Sequence, residues 1–197
     1  GAGLVAYDGK YFRQYSTDQG LPSNDILDII IDSKNRIWIG TFNNGLICFN
    51  GVEFHHYSTK TGLPGNKIRS IKEDKEGRIW IGSDNGLSAI YNNTLFVYGK
   101  EQGIDVRQIY DIAIGNNNEL WIGTFNMGVI MFDGISFFQY DITNGLPTSA
   151  VWALDVDNNN NVWMGTFGEG IIKFDGKQFV QYASDQGIET TEIFCVN

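Results

Sequence analysis

A stretch that returns at a fixed spacing constrains this chain more than anything else in it. Residues 32–49, DSKNRIWIGTFNNGLICF, recur as residues 74–90 (DKEGRIWIGSDNGLSAI), 115–132 (GNNNELWIGTFNMGVIMF) and 157–174 (DNNNNVWMGTFGEGIIKF). Trp38, Trp80, Trp121 and Trp163 mark a period of 42, 41 and 42 residues. A period in this range belongs to stacked or circularly arranged repeats, in which each copy is one supersecondary unit unable to bury its apolar face alone.

Within one copy the apolar residues fall into four short runs, Ile26–Ile31, Ile37–Thr41, Leu46–Phe49 and Phe54–Tyr57, separated by DSKNR, FNNG and NGVE. Their length, their Ile, Phe, Trp and Tyr content and the Gly, Asn and Asp punctuation predict β-strands. No segment holds a 3.6-residue period long enough for a helix. Connectors of one type follow each unit, among them STDQGLPSN at Ser16 and DITNGLPTS at Asp141. A four-stranded unit of about 40 to 45 residues is the blade of a β-propeller. A β-sandwich also has regularly spaced short strands, but it places successive strands in unlike environments. Here every fourth strand carries the same residues at the same offset.

The expected fold is therefore all-β, a propeller of four-stranded antiparallel blades forming a single region over residues 1–197. It has a split, incomplete blade at 1–15, complete blades at about 24–57, 66–98, 107–140 and 149–182, and the first strand of a further blade at 191–197. This count predicts a piece of a larger propeller whose free edge strands can pair with other blades or with another copy of the chain. The repeated Trp is expected in the apolar layer between neighbouring blades.

Composition removes several function classes. There are 14 Lys and Arg against 23 Asp and Glu, a net charge of -9, whereas a nucleic-acid footprint needs clustered cations to neutralise phosphates. No apolar run approaches the roughly 18 residues of a membrane-spanning helix, so no membrane contact is expected of these residues. Cys48 and Cys195 occupy different repeat positions and build neither a disulfide framework nor a metal cluster.

Motifs that carry chemistry are few. His55 and His56 are adjacent on a predicted strand and point to opposite faces. GTFGEG at Gly165 lacks the order, the Lys and the following helix of a phosphate loop, and it repeats the turn FNNG. The Asn-rich run at 157–161 lacks the distal Glu of a calcium loop and aligns with DSKNR. No catalytic residue, metal ligand or cofactor is assigned.

The composite GLPxNxIxxIxxDxxGxIWIGTxxNGLxxFDGxxFxxY, read from the first and last full copies, resembles the two-component regulator propeller repeat across essentially the whole chain. Departures are GIDV at Gly103, GIET at Gly187 and Gly115 in place of the first-turn Asp; they alter single turns and keep the phase. The resemblance implies a sensor module, the extracytoplasmic part of a bacterial hybrid sensor kinase, with periplasmic exposure and, in many such sensors, a response to glycan fragments.

Residues that differ between copies are the candidates for binding, because positions alike in every copy serve the scaffold. The blade topology puts the connectors and the turn after the second strand on one face. On the innermost strand Leu27, Arg69, Tyr110, Trp152 and Phe194 are equivalent, and Trp152 is the one Trp outside the W-[IM]-G register. Tyr110 and Trp152 are expected to offer planes for a sugar ring, or else to pack against the next blade. Arg69 and Arg107 are expected to donate to hydroxyls or an acidic group, and Asn126 and Glu169 to orient the ligand from the rim. The resulting expectation is a non-catalytic propeller sensing an oligosaccharide. The alternatives are a protein-interaction scaffold and, third, an enzyme of the streptogramin-lyase or sialidase type.

Overall fold

The computed structural model describes residues 3–188 and 192–196. Four antiparallel sheets follow one another along the chain, each in simple up-and-down order. The first is β3 (Ile26–Ile31), β4 (Ile37–Thr41), β5 (Leu46–Phe49) and β6 (Phe54–Tyr57). The second is β7 (Ile68–Glu73), β8 (Ile79–Ser83), β9 (Gly86–Tyr91) and β10 (Thr94–Tyr98). The third is β11 (Ile109–Ile114), β12 (Leu120–Thr124), β13 (Val129–Phe132) and β14 (Phe137–Tyr140). The fourth is β15 (Val151–Val156), β16 (Val162–Thr166), β17 (Ile171–Phe174) and β18 (Phe179–Tyr182). A hairpin of β1 (Leu4–Tyr7) and β2 (Phe12–Tyr15) precedes them. The architecture is a β-propeller with four complete blades and a split one. The first strands β3, β7, β11 and β15 lie successively side by side.

Two findings differ from the sequence expectation. Each connector contains one turn of 3-10 helix, at Thr17–Gln19, Thr59–Thr61, Lys100–Gln102, Ile142–Asn144 and Ser184–Gln186. In the first of these the Gln19 side chain accepts from the Ser16 backbone N–H at 2.9 Å, and Gly20 ends the turn at φ 90°. This is a capping box, S-x-x-Q, in miniature. The second difference concerns the strand expected at 192–196. Glu192 forms a single antiparallel bridge to Phe167, and no strand pairs with this segment as a second strand among the described residues. Thr191 and Asn197 lie outside the described residues.

Packing between blades accounts for the repeat. Trp38 is fully buried with Leu46 and Cys48 of its own blade and Ile68, Ile71, Ile79 and Ile81 of the next. Trp80 and Trp121 repeat the arrangement one and two blades on. Removing such a ring from water takes away roughly 150 to 250 Å² of surface, so these layers dominate the core. The Gly of W-[IM]-G follows from the same packing. A Cβ on Gly40 would sit 2.9 Å from the Ile68 carbonyl oxygen, one on Gly82 2.6 Å from Ile109 Cγ2, and one on Gly123 3.0 Å from the Val151 oxygen. These glycines let the next blade's first strand come into contact.

In the first, second and fourth blades the first turn holds the Trp by its polar edge. Asp32 accepts from Trp38 Nε1 at 2.8 Å, from Arg36 Nε at 2.6 Å and from the Arg36 backbone N–H at 2.8 Å. Asp74 does the same with Trp80 and Arg78, and Asp157 with Trp163 and Asn161. In the third blade Gly115 replaces the Asp. Trp121 Nε1 is accordingly buried without a partner, and Glu119 reaches across to Asn160 of the next blade.

Candidate functional site

The first strand of each blade carries a β-bulge at one position. Pairing between β3 and β4 skips Leu27, and the corresponding shifts fall at Arg69, Tyr110 and Trp152. An extra residue in one strand leaves its side chain out of the ladder and re-aims it. Here Leu27, Arg69, Tyr110 and Trp152, with Phe194, together line one cavity of about 400 Å³.

Within that cavity the side chains form a ladder. The Arg69 guanidinium carbon lies 4.1 Å from the Tyr110 ring centroid. Tyr110 stacks on Trp152 with centroids 5.5 Å apart and 7° between planes. Trp152 in turn meets Phe167 at 4.6 Å and Phe194 at 4.9 Å, and Phe125 lies 6.0 Å from Tyr110. Rings of successive blades thus cover one another's faces, while Phe125 and Phe167 stay 40% and 45% exposed. Arg69 Nε and Trp152 Nε1 are buried with no hydrogen-bond partner, and so is Asp84 Oδ1. Each such orphan costs on the order of 1–3 kcal/mol until an acceptor or donor reaches it.

The remaining candidates lie apart from the cavity lining. Arg107 and Asn126 are exposed on a connector end and in the turn after β12. Glu169 is half-buried, and its carboxylate accepts from Gln181 Nε2 on the outermost strand at 2.8 Å. The turns after the second strands do meet the connectors: Asn44 Nδ2 donates to the Pro22 carbonyl at 3.0 Å, and Gln108 N to the Asp84 carbonyl at 2.9 Å. The sequence places Phe125, Phe167 and Asp84 in turns close to the connector ends, but they were not among the expected ligand contacts. The signal was there: Phe opens that turn in three copies and Asp in the second.

One residue beyond the bulge, carboxylates and a hydroxyl join the blades. Asp28 accepts from the Ile71 N–H at 2.6 Å, Ser70 donates to Asp111 at 2.8 Å, and Asp111 accepts from the Leu154 N–H at 2.9 Å. Burial pushes the Asp28 carboxyl above its ordinary pKa against those N–H donors.

Chemistry elsewhere is sparse. His55 lies by Asn50 and Glu53, whereas His56 meets the Asn44 carbonyl. Burial pushes the Cys48 thiol up to about 11, far from a reactive thiolate. No three His, Cys, Asp or Glu side chains converge on a point among the described residues. A cavity of about 450 Å³ between the fourth blade and the last segment is lined by Trp163, Ile171, Cys195 and Val196 with Asp155 and Asp157. At the earlier junctions the second strand of the following blade fills this place, as Ile79 and Ile81 do over Trp38.

Comparisons with known proteins agree with the propeller fold. The family model of the two component regulator propeller matches residues 20–43, 62–85 and 145–168. No curated protein matches the chain significantly in sequence. Among solved structures it is similar to the extracellular domain of a hybrid two component system from B. thetaiotaomicron, at 26% identity and a TM-score of 0.80, over 95% of this chain and 27% of that one. Another such domain from the same organism gives 19% identity and a TM-score of 0.69, over 83% of this chain and 22% of that one. Virginiamycin B lyase from Staphylococcus aureus shares the fold, at 18% identity and a TM-score of 0.72, over 94% of this chain and 62% of its own. The chain spans about a quarter of the length of the two extracellular domains. Its matched segments each run from the end of a connector through W-[IM]-G into the turn, and in these segments the chain is similar to the two component regulator propeller.

Proposed function

We propose that this chain is a non-catalytic, ligand-sensing propeller from the periplasmic part of a two-component sensor, and that its connector face recognises an oligosaccharide. The observation that carries the reading is the convergence of Arg69, Tyr110 and Trp152 on one cavity that contains both buried donors and, beside it, a buried acceptor without partners. Sugar hydroxyls donate and accept, and a sugar ring has an apolar face suited to exposed rings such as Phe125 and Phe167. The similarity to extracellular domains of hybrid two component systems supports the sensor role and the compartment.

The test is calorimetric titration of an oligosaccharide panel against the protein, with product analysis. Binding without turnover is expected. Trp152→Ala should weaken it about tenfold or more, since a stacked ring contributes on the order of 0.5–1.5 kcal/mol beyond its buried area. Lys34→Ala, exposed in a turn on the opposite face, should bind like the parent. Unaltered binding by a Trp152→Ala protein that still unfolds cooperatively would show that the wrong face was chosen. Cleavage of a bound probe would make the chain an enzyme. A second reading is supported by the exposed rings of Phe42, Phe125 and Phe167 on this face: a protein partner docks there, and then no oligosaccharide in the panel binds.

A further inference from the structure

The second blade departs from its neighbours at three positions around the cavity. At the connector end it has Lys67, where the others have Asp25, Gln108, Ala150 and Glu192. On the bulge it has Arg69 among Leu27, Tyr110, Trp152 and Phe194, and at the turn it has Asp84 where the others have Phe42, Phe125 and Phe167. In a chain of net charge -9 this is a local concentration of cations.

Their geometry leaves them under-neutralised. Lys67 Nζ lies 4.0 Å from the Phe42 ring centroid and Arg69 lies over Tyr110, so each cation is parked on an aromatic face. Neither takes part in the ion pairs found among the described residues. Burial and the nearby charge of Arg69 hold the Lys67 ammonium below its ordinary pKa, against the pull of Asp84. Among the described residues Asp84 is the carboxylate that acts on that ammonium, and it balances one cation of the two. Arg107, exposed on the next connector, adds to the excess. Apart from Asp84, the carboxylates at the equivalent connector ends and turns stand on other blades, Asp25 on the first, Glu169 on the fourth and Glu192 beyond it. The mouth is polarised across its width.

We infer that Lys67 and Arg69 form an anion-reading notch in the mouth, and that the ligand is an acidic oligosaccharide whose carboxylate or sulfate group seats there. This rests on the oligosaccharide reading above. A guanidinium presents planar N–H donors matched to an oxyanion, and bonds to an ionised acceptor are roughly twice as strong as neutral ones. The unpartnered Arg69 Nε–H is the donor such a group would satisfy.

The experiment titrates the 197-residue protein with matched probes: a trigalacturonate against its methyl ester, and a sulfated chondroitin disaccharide against the unsulfated one. The notch predicts at least about tenfold tighter binding of one acidic member than of its partner, weakening with added salt. Arg69→Gln and Lys67→Gln should abolish that preference, and Arg69→Lys should retain part of it; which pair responds tells carboxylate from sulfate. Equal binding of acidic and neutral members overturns the notch and leaves the oligosaccharide reading standing, as does a preference that survives both Gln variants. Failure of every probe and of the neutral panel overturns both.

Discussion

At the scale of single residues, what distinguishes the four repeated Trp side chains is the fate of one N–H. Trp80 donates to Asp74 at 2.8 Å, whereas Trp121 has no acceptor because Gly115 stands where the Asp would be. Losing the indole N–H therefore has different consequences at two equivalent positions. Trp80→Phe strips a donor from a buried carboxylate and should cost about 1–2 kcal/mol more than Trp121→Phe. Trp121→Ala, which removes the packing itself, should cost roughly 3–5 kcal/mol. Urea unfolding of the three variants measures both differences, and equal losses for the two Phe variants would show that the Asp bond contributes nothing net. Glycine 115 was visible in the sequence as a departure from the repeat, yet its cost was not, since the Asp–Trp bond spans a turn whose shape the sequence does not display.

At the scale of the element, the first turns of the first and fourth blades are acid-sensitive clamps. Bonds from the Asn161 and Trp163 side chains pull Asp157 down to about 2. For Asp32 burial raises the pKa, but the bonds from Trp38 and Arg36 outweigh it and lower the carboxyl below its ordinary value. A carboxyl whose folded pKa lies below its unfolded value contributes stability that is complete above the unfolded pKa, and that is lost as pH falls through the folded one. The loss from Asp157 should fall between about pH 4 and pH 2. Asp28, raised by burial, acts with the opposite sign. Thermal unfolding across this window should show a shallower acid dependence for Asp157→Asn than for the parent; parallel curves would remove the clamp from the explanation. Strand positions and turns were legible in the sequence because alternation, turn residues and the repeat all act within a few residues. The 3-10 turns were not read from the sequence, because a capping signal as short as Ser16 and Gln19 is absorbed into a connector.

Across the whole molecule, blade-to-blade spacing is set where a Gly of one blade faces the first strand of the next. Gly82 is the tightest by side-chain contact, since a Cβ there would lie 2.6 Å from Ile109 Cγ2. Gly82→Ala should destabilise the protein by about 1–3 kcal/mol, the usual range for overpacking a closed interface. Circular dichroism should still report native strands while the urea midpoint falls. A midpoint that does not move would mean that the blades slide apart freely, and the fixed geometry of the cavity at their inner strands would then lose its basis.

Sequence alone determined the blade, its four strands and the burial of Trp38, Trp80 and Trp121. All of these follow from interactions within one repeat or from the requirement that identical repeats stack identically. Tertiary structure decided which groups the mouth leaves available. Tyr110, Trp152 and Phe194 lie about one repeat apart in the chain, so their mutual stacking exists only once the blades have packed. The same packing turns Glu169 toward Gln181 and leaves Arg69 Nε without a partner. Side chains brought together across a blade junction have no local signature, because neither partner's own segment encodes the distance between them.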